Sequence, residues 1–167
     1  MRDDAEALDA CLQRLARQTV RPLEVVVVDN GSTDASARVD VLLVDGGDAT
    51  YLAHWVRESG LADLLPTLTD TVWVGVSAGS MVMTPRIGDY FVEWAGAPDD
   101  RTLGVVDFAI FPHLDLFPTN TLAHAQRWAA QIGVPAYAID EQTALAVVDG
   151  VTTVVSEGSW TRFEHDG

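Results

Sequence analysis

Val72-Trp73-Val74-Gly75-Val76-Ser77-Ala78-Gly79-Ser80-Met81 is the stretch whose reading decides the fold. A short apolar run enters Gly-x-Ser-x-Gly, and residues able to start a helix follow. Strand, sharp turn and helix in that order are the pattern of a nucleophile elbow. Such a turn lifts the serine hydroxyl clear of the backbone, and its small neighbours let the chain pass close to adjacent strands. It also aims backbone N–H groups, that of Ala78 among them, at the place where an oxyanion would form. Small Gly/Ser turns close ordinary strands as well, so the surrounding chain has to decide.

Working outward, apolar runs alternate with amphipathic stretches. Upstream, Val39 to Val44 reads as a buried strand closed by Gly46-Gly47, and Leu23 to Val28 as another closed by Asn30-Gly31-Ser32. Leu8, Cys11, Leu12 and Leu15 share one helical face, which makes Cys11 a small core residue. Thr50 to about Leu68 has helical spacing through Leu52, Trp55 and Val56, breaks at Gly60, and resumes at Leu61, Leu64, Leu65 and Leu68. Downstream, Val105 to Phe111 reads as a buried strand ending at Pro112-His113. Pro118-Thr119-Asn120 opens a helix with the stripe Leu122, Ala125, Ala129 and Ile132, stopped at Gly133. Ala136 to Ile139 is one more short strand. Leu145 to Val148 and Val151 to Val155, joined by Asp149-Gly150, predict a hairpin. Strands buried on both sides and separated by helices define the α/β class: a mostly parallel sheet flanked by helices, with a C-terminal antiparallel hairpin.

Composition narrows the function. The 167 residues suffice for one domain with a real core, and 48% are hydrophobic. The formal charge of −15 would repel a phosphate backbone, which argues against nucleic-acid binding. No apolar run is long enough to span a bilayer, and the polar start Met1-Arg2-Asp3-Asp4 does not read as a secretory leader. A single cysteine precludes an intrachain disulfide and suits a reduced, cytoplasmic setting. No cofactor or metal is called for.

In a parallel sheet, function collects at the carboxyl ends of the strands. Three such ends carry unusual residues: Gly46-Gly47-Asp48, Ser77 and Pro112-His113. A serine nucleophile needs a base, and His113 leaves a strand at the active edge. His54 and His124 fall within predicted helices and His165 in the tail, so all three read as solvated surface histidines. The base in turn needs a carboxylate to orient its ring. Glu141, after the strand Ala136 to Ile139, and Asp89, after Pro85-Arg86-Ile87-Gly88, are both placed to supply one.

Four segments in order carry a resemblance: VDVLLVDGGDATYLAHWVRESGLADLLP, VWVGVSAGSMVMTPRIGDYF, LGVVDFAIFPHLD and VPAYAIDEQTALAVVDG. From about Val39 to Phe163 the chain resembles the S51 serine peptidases, the family of aspartyl dipeptidase and cyanophycinase. The resemblance implies a fold related to class I glutamine amidotransferases, with serine in place of their elbow cysteine. It implies Ser77 as nucleophile, His113 as base and Glu141 as the acidic member, with Asp89 matching a second acidic position. Gly47 and Ala78 would supply the oxyanion-hole N–H groups. Hydrolysis of small peptides, Asp-X dipeptides among them, would need a cation near the substrate side chain, and Arg86 is the candidate. A homodimer is compatible with this reading. Members of that family usually carry Asn after the paired glycines; Asp48 stands here, and a carboxylate beside a developing oxyanion is unfavourable unless turned away or neutralised, so Asp48 reads as a helix cap.

Residues 1–38 resemble the start of a family 2 glycosyltransferase instead, with Asp29 in Val-Asp-Asn-Gly-Ser-Thr-Asp at the nucleotide-contacting position. No D-x-D metal motif accompanies it. The expected organisation is therefore a fragment over 1–38, packed as helix 5–18 and strand 23–28, with one S51-like unit over 39–167. The N-terminal part of the usual fold would be missing or replaced. An alternative reading follows: a truncated or fused remnant with too little sheet to hold the site in register, acting as a binding or oligomerising module.

Overall fold

The computed structural model describes residues 41–69 and 71–165. The expected helix 5–18 with Cys11, the strand 23–28 and Asp29 lie outside the described residues. Strand β1 (Val41–Val44) leads through Gly46-Gly47 into helix α1 (Ala49–Glu58), the short helix α2 (Leu61–Leu64) and a 3-10 turn (Leu65–Thr67). Strand β2 (Val72–Gly75) then runs parallel to β1, with Val41 opposite Val72 and Val44 opposite Gly75. Helix α3 (Ala78–Met81) follows the elbow directly. After a long irregular segment with one 3-10 turn (Asp89–Phe91) come β3 (Ala109–Phe111), α4 (Leu122–Ile132) and β4 (Ala136–Ile139). Strands β3 and β4 pair in parallel, and β7 (Trp160–Phe163) adds antiparallel to β4. The hairpin β5 (Thr143–Val148) and β6 (Val151–Ser156) forms as expected. Asp149 and Gly150 both take positive φ, the primed-turn geometry that matches the twist of the flanking strands.

Helix α1 begins at Asp48, whose side chain accepts from the Tyr51 N–H, and buries Ala49, Thr50, Ala53 and Val56. Of its expected stripe, Val56 is buried while Trp55 is half exposed. Helix α4 is capped by Thr121 and buries Ala125, Trp128 and Ile132. Leu122, at the start of that expected stripe, is exposed, and Trp128 takes the central place. Trp128 satisfies its indole N–H on the Ile87 carbonyl at 2.8 Å, which lets so large a ring sit in the core. Around it pack Ala109, Phe111, Leu114, Ala136 and Ala138; the alanines on β3 and β4 let the helix approach the sheet. A second cluster of Ala49, Ala78, Met81 and Ile87 joins α1 to the elbow helix. Phe91 touches both clusters and links the two halves.

Two expectations are corrected. The strand over Val105 to Phe111 shortens to its last three residues, because the N–H groups of Val105 and Val106 both go to the Met83 carbonyl and leave the ladder. Burial on both faces holds for β3 and β4 but not for β1 and β2, where residues alternate and Val41, Leu43, Val72 and Val74 are exposed.

Candidate active site

The elbow is built from close backbone contacts. The Val76 N–H donates to the Val44 carbonyl at 2.8 Å, extending the β1–β2 pairing by one residue. The chain then reverses at Ser77, with φ 52° and ψ −120°. A non-glycine residue there is strained by about 1–3 kcal/mol, and the neighbouring contacts must hold it. Gly75 and Gly79 make those contacts possible. A Cβ on Gly75 would lie 2.2 Å from the Gly79 carbonyl oxygen, and one on Gly79 would lie 1.9 Å from the Val44 oxygen. The Trp73 indole N–H donates to the Gly79 carbonyl at 2.9 Å and fastens the turn from outside.

His113 follows β3 and Glu141 follows β4, so parallel pairing brings both to the same sheet edge. The Leu114 N–H donates to the Ile139 carbonyl at 2.9 Å and fixes the two strand ends together. His113 Nδ1 lies 2.6 Å from Glu141 Oε1, and His113 Nε2 lies 2.9 Å from Ser77 Oγ. In the tautomer with the proton on Nδ1, that N–H donates to the Glu141 carboxylate and Nε2 is left to accept from the Ser77 hydroxyl. The His113 side chain is 25% exposed and that of Glu141 49%, so the carboxylate is wetter than the imidazole it faces.

Asp89 is not brought to this chain. Both ring nitrogens of His113 are taken by Ser77 and Glu141, and Asp89 sits exposed in the 3-10 turn, where its charge acts on Arg86. Arg86 is also engaged elsewhere. Its Nε and one terminal nitrogen reach both oxygens of Asp100 at 2.9 and 3.0 Å, which raises the guanidinium pKa further. That leaves the Nη1 side of the guanidinium as the part a further carboxylate could meet. Burial alone would raise the Asp100 carboxyl, but hydrogen bonds from Arg86 and the Gly88 N–H outweigh it and hold the group below its ordinary range.

Gly46 packs beside Ser77, since a Cβ there would stand 3.8 Å from the serine Cβ. The N–H groups of Gly47 and Ala78 donate to no acceptor among the described residues. Asp48 is the expected cap and more. One oxygen accepts from the Tyr51 N–H and the Thr50 hydroxyl, and the other from the N–H groups of Glu93 and Trp94. Burial would raise its pKa, and these four bonds lower it. A carboxylate therefore suits a position where an amide would set its own N–H against two backbone donors.

The depressed carboxyls of Asp48 and Asp100 carry a sign. Stability from a group whose folded pKa lies below its unfolded value, 3.8 here, is full above that value and lost as pH falls through the folded one. Unfolding midpoints in urea should therefore drop between pH 5 and pH 3. Asp48→Asn and Asp100→Asn should each lower the unfolding free energy at pH 7 by about 1–3 kcal/mol, and flatten that drop.

Sequence reasoning missed several supports. Asp140 accepts from Gln142 N–H, the Thr143 hydroxyl and Ser159 N–H, and so shapes the turn that presents Glu141. The Asp-x-x-Thr spacing is a local turn signal that could have found it. His54 and His124 are half-buried rather than plainly solvated: His54 packs on Trp55 and Trp94, and His124 lies 4.1 Å from the Tyr90 ring. His165 is exposed as expected. Among the described residues no group of three His, Cys, Asp or Glu side chains could hold a metal, and no helix is long and apolar enough to cross a membrane.

Fold and site together define an α/β protein in which a hydroxyl after β2, an imidazole after β3 and a carboxylate after β4 are hydrogen-bonded in series. The chain belongs to peptidase family S51, whose family model matches residues 3–155. The match takes in the opening stretch, and no comparison supports the glycosyltransferase resemblance there. The fold is similar to that of a putative peptidase E protein from Listeria monocytogenes EGD-e, at TM-score 0.61 and 19% identity over 73% of this chain and 62% of that one. It is also similar to a peptidase from an acI-B1 Actinobacterium, at TM-score 0.56 and 19% identity over 77% and 58%. The chain thus spans about three fifths of these structures. No curated protein matches it.

Proposed function

We propose that this chain is a serine peptidase of the S51 type acting on small peptides. The observation that supports it best is the series Glu141–His113–Ser77, with contacts of 2.6 and 2.9 Å, on an elbow that holds Ser77 at positive φ. In this reading the Ser77 hydroxyl gives its proton to His113 Nε2 as Oγ bonds to the peptide carbonyl carbon. Glu141 stabilises the imidazolium, and the N–H groups of Gly47 and Ala78 receive the oxyanion. Collapse breaks the C–N bond, with the proton passing from His113 to the leaving amine. Water then attacks the acyl-enzyme, losing a proton to His113, and as the ester C–O bond breaks His113 returns that proton to Ser77 Oγ. With its Nε edge held by Asp100, Arg86 would meet the side-chain carboxylate of an Asp-X dipeptide through its remaining Nη1 side.

A second reading, a disarmed S51 remnant serving as a binding or oligomerising module, draws on the partial coverage of the peptidase structures. Fluorophosphonate labelling of the 167-residue chain, read by intact mass, separates the two. One adduct, absent in Ser77→Ala, is the expected result, and a dipeptide panel including Asp-X then sorts substrates. A folded chain that takes no adduct would overturn the peptidase reading in favour of the module.

A further inference from the structure

The His113 ring is carried by a loop under strain. His113 has φ 59° and Asp115 φ 62°, two non-glycine residues in the left-handed region within three positions. Something has to hold the Pro112–His113 peptide in the plane that this φ demands. Its N-terminal side is anchored by β3 and its C-terminal side by the Leu114–Ile139 hydrogen bond. The peptide carbonyl itself, Pro112 O, accepts from Asn120 Nδ2 at 3.2 Å.

Asn120 is buried, and every polar group it owns is used. Its Oδ1 faces two hydroxyls, Tyr90 and Thr119, each at 3.4 Å, which sets the amide so that the nitrogen end meets the carbonyl. Its backbone oxygen accepts from Asp115 N–H at 2.7 Å and its own N–H donates to Phe117 O at 2.9 Å. One side chain thus braces the loop from inside and touches the peptide that leads into His113. A peptide unit is planar, so fixing its oxygen fixes the rotation about the His113 N–Cα bond.

We infer that Asn120 is a positioning residue for His113, acting through the Pro112 carbonyl, a role that rests on the triad reading above. Asn120→Ala removes the donor and lets the peptide rotate. A displacement of about 1 Å at the imidazole costs on the order of 10²-fold in rate. Asn120→Asp is the sharper test, because it keeps the shape and makes the donor depend on protonation. An ionised carboxylate has no hydrogen for Pro112 O and repels it, whereas the neutral acid donates an O–H. Burial favours the neutral form. The titratable groups around the side chain are His113, Asp115, Tyr90 and His124, the last packed on Tyr90 and bonded to the Thr119 carbonyl. All four are common to both chains.

The experiment is the rate of fluorophosphonate labelling at Ser77 in wild type, N120A and N120D from pH 5.5 to pH 8, with circular dichroism checking that each chain is folded. N120A should label about 10²-fold more slowly. The N120D rate, divided by the wild-type rate at each pH, should rise about tenfold or more from pH 8 to pH 5.5. A flat ratio overturns the positioning role, as does N120A labelling within about threefold of wild type, even if both variants melt earlier. Should N120A not fold, the N120D ratio decides alone. Absence of labelling in the wild-type chain overturns the triad reading and this role with it, an outcome distinct from a labelled wild type with a flat ratio.

Discussion

Ser77→Ala and His113→Ala should each lower peptide hydrolysis by on the order of 10⁶-fold, and the double variant should be no worse than either. The non-additivity follows from the 2.9 Å contact between Nε2 and Oγ. Without the hydroxyl there is nothing for the imidazole to deprotonate, and without the imidazole the hydroxyl is a poor nucleophile at neutral pH. Residual turnover would come from the oxyanion donors and from binding. Glu141→Gln should cost less, because Glu141 is 49% exposed and water can partly take over the Nδ1 proton. Single-turnover rates on one dipeptide, across the four variants, check this. Multiplicative losses in the double variant would mean that the two residues do not act on one step.

Gly79→Ala should unfold the elbow. The new methyl carbon would meet the Val44 carbonyl at 1.9 Å and its carbon at 2.5 Å. Both are backbone atoms of β1, so no side chain can swing aside, and the strand and α3 must separate. Overpacking usually costs about 1–3 kcal/mol, and a backbone clash that also spoils the Trp73–Gly79 bond should exceed that range. Gly47→Ala provides the contrast. No atom lies within 4 Å of a Cβ there, and only its φ of 119° is unfavourable. Urea midpoints and soluble yield should rank wild type above Gly47→Ala and that above Gly79→Ala. Equal midpoints for Gly79→Ala and wild type would show that the chain does not pass so close to β1.

Local chemistry made much of the fold readable. The Asp149-Gly150 turn, the break at Gly60, the strand Ala136–Ile139 and the strand feeding Ser77 each depend on a few adjacent residues. The cap at Asp48 was readable for the same reason. Elements decided by distant partners were not. Val105 and Val106 look like strand residues, but Met83 takes their N–H groups. Trp160–Phe163 has little pattern of its own and becomes a strand because β4 offers it an edge. Trp128 outranks Leu122 on α4 because Ile87 supplies a carbonyl for its indole.

The candidate site divides along the same line. Residue type and short spacing are enough to read the strand–turn–helix elbow, the serine on it, and two strand ends bearing His113 and Glu141. They left Glu141 and Asp89 as rivals and Arg86 as a free cation. Their surroundings differ only once the chain is folded. Parallel pairing of β3 with β4 sets Glu141 against His113 Nδ1, while the Asp100 carboxylate claims Arg86 and Asp89 stays in its exposed turn. The same holds for Asp48 and Asn120, whose partners lie up to 46 residues away in the chain, or in the loop they brace. A hydrogen bond is specific to about half an ångström, and only packing brings remote atoms that close.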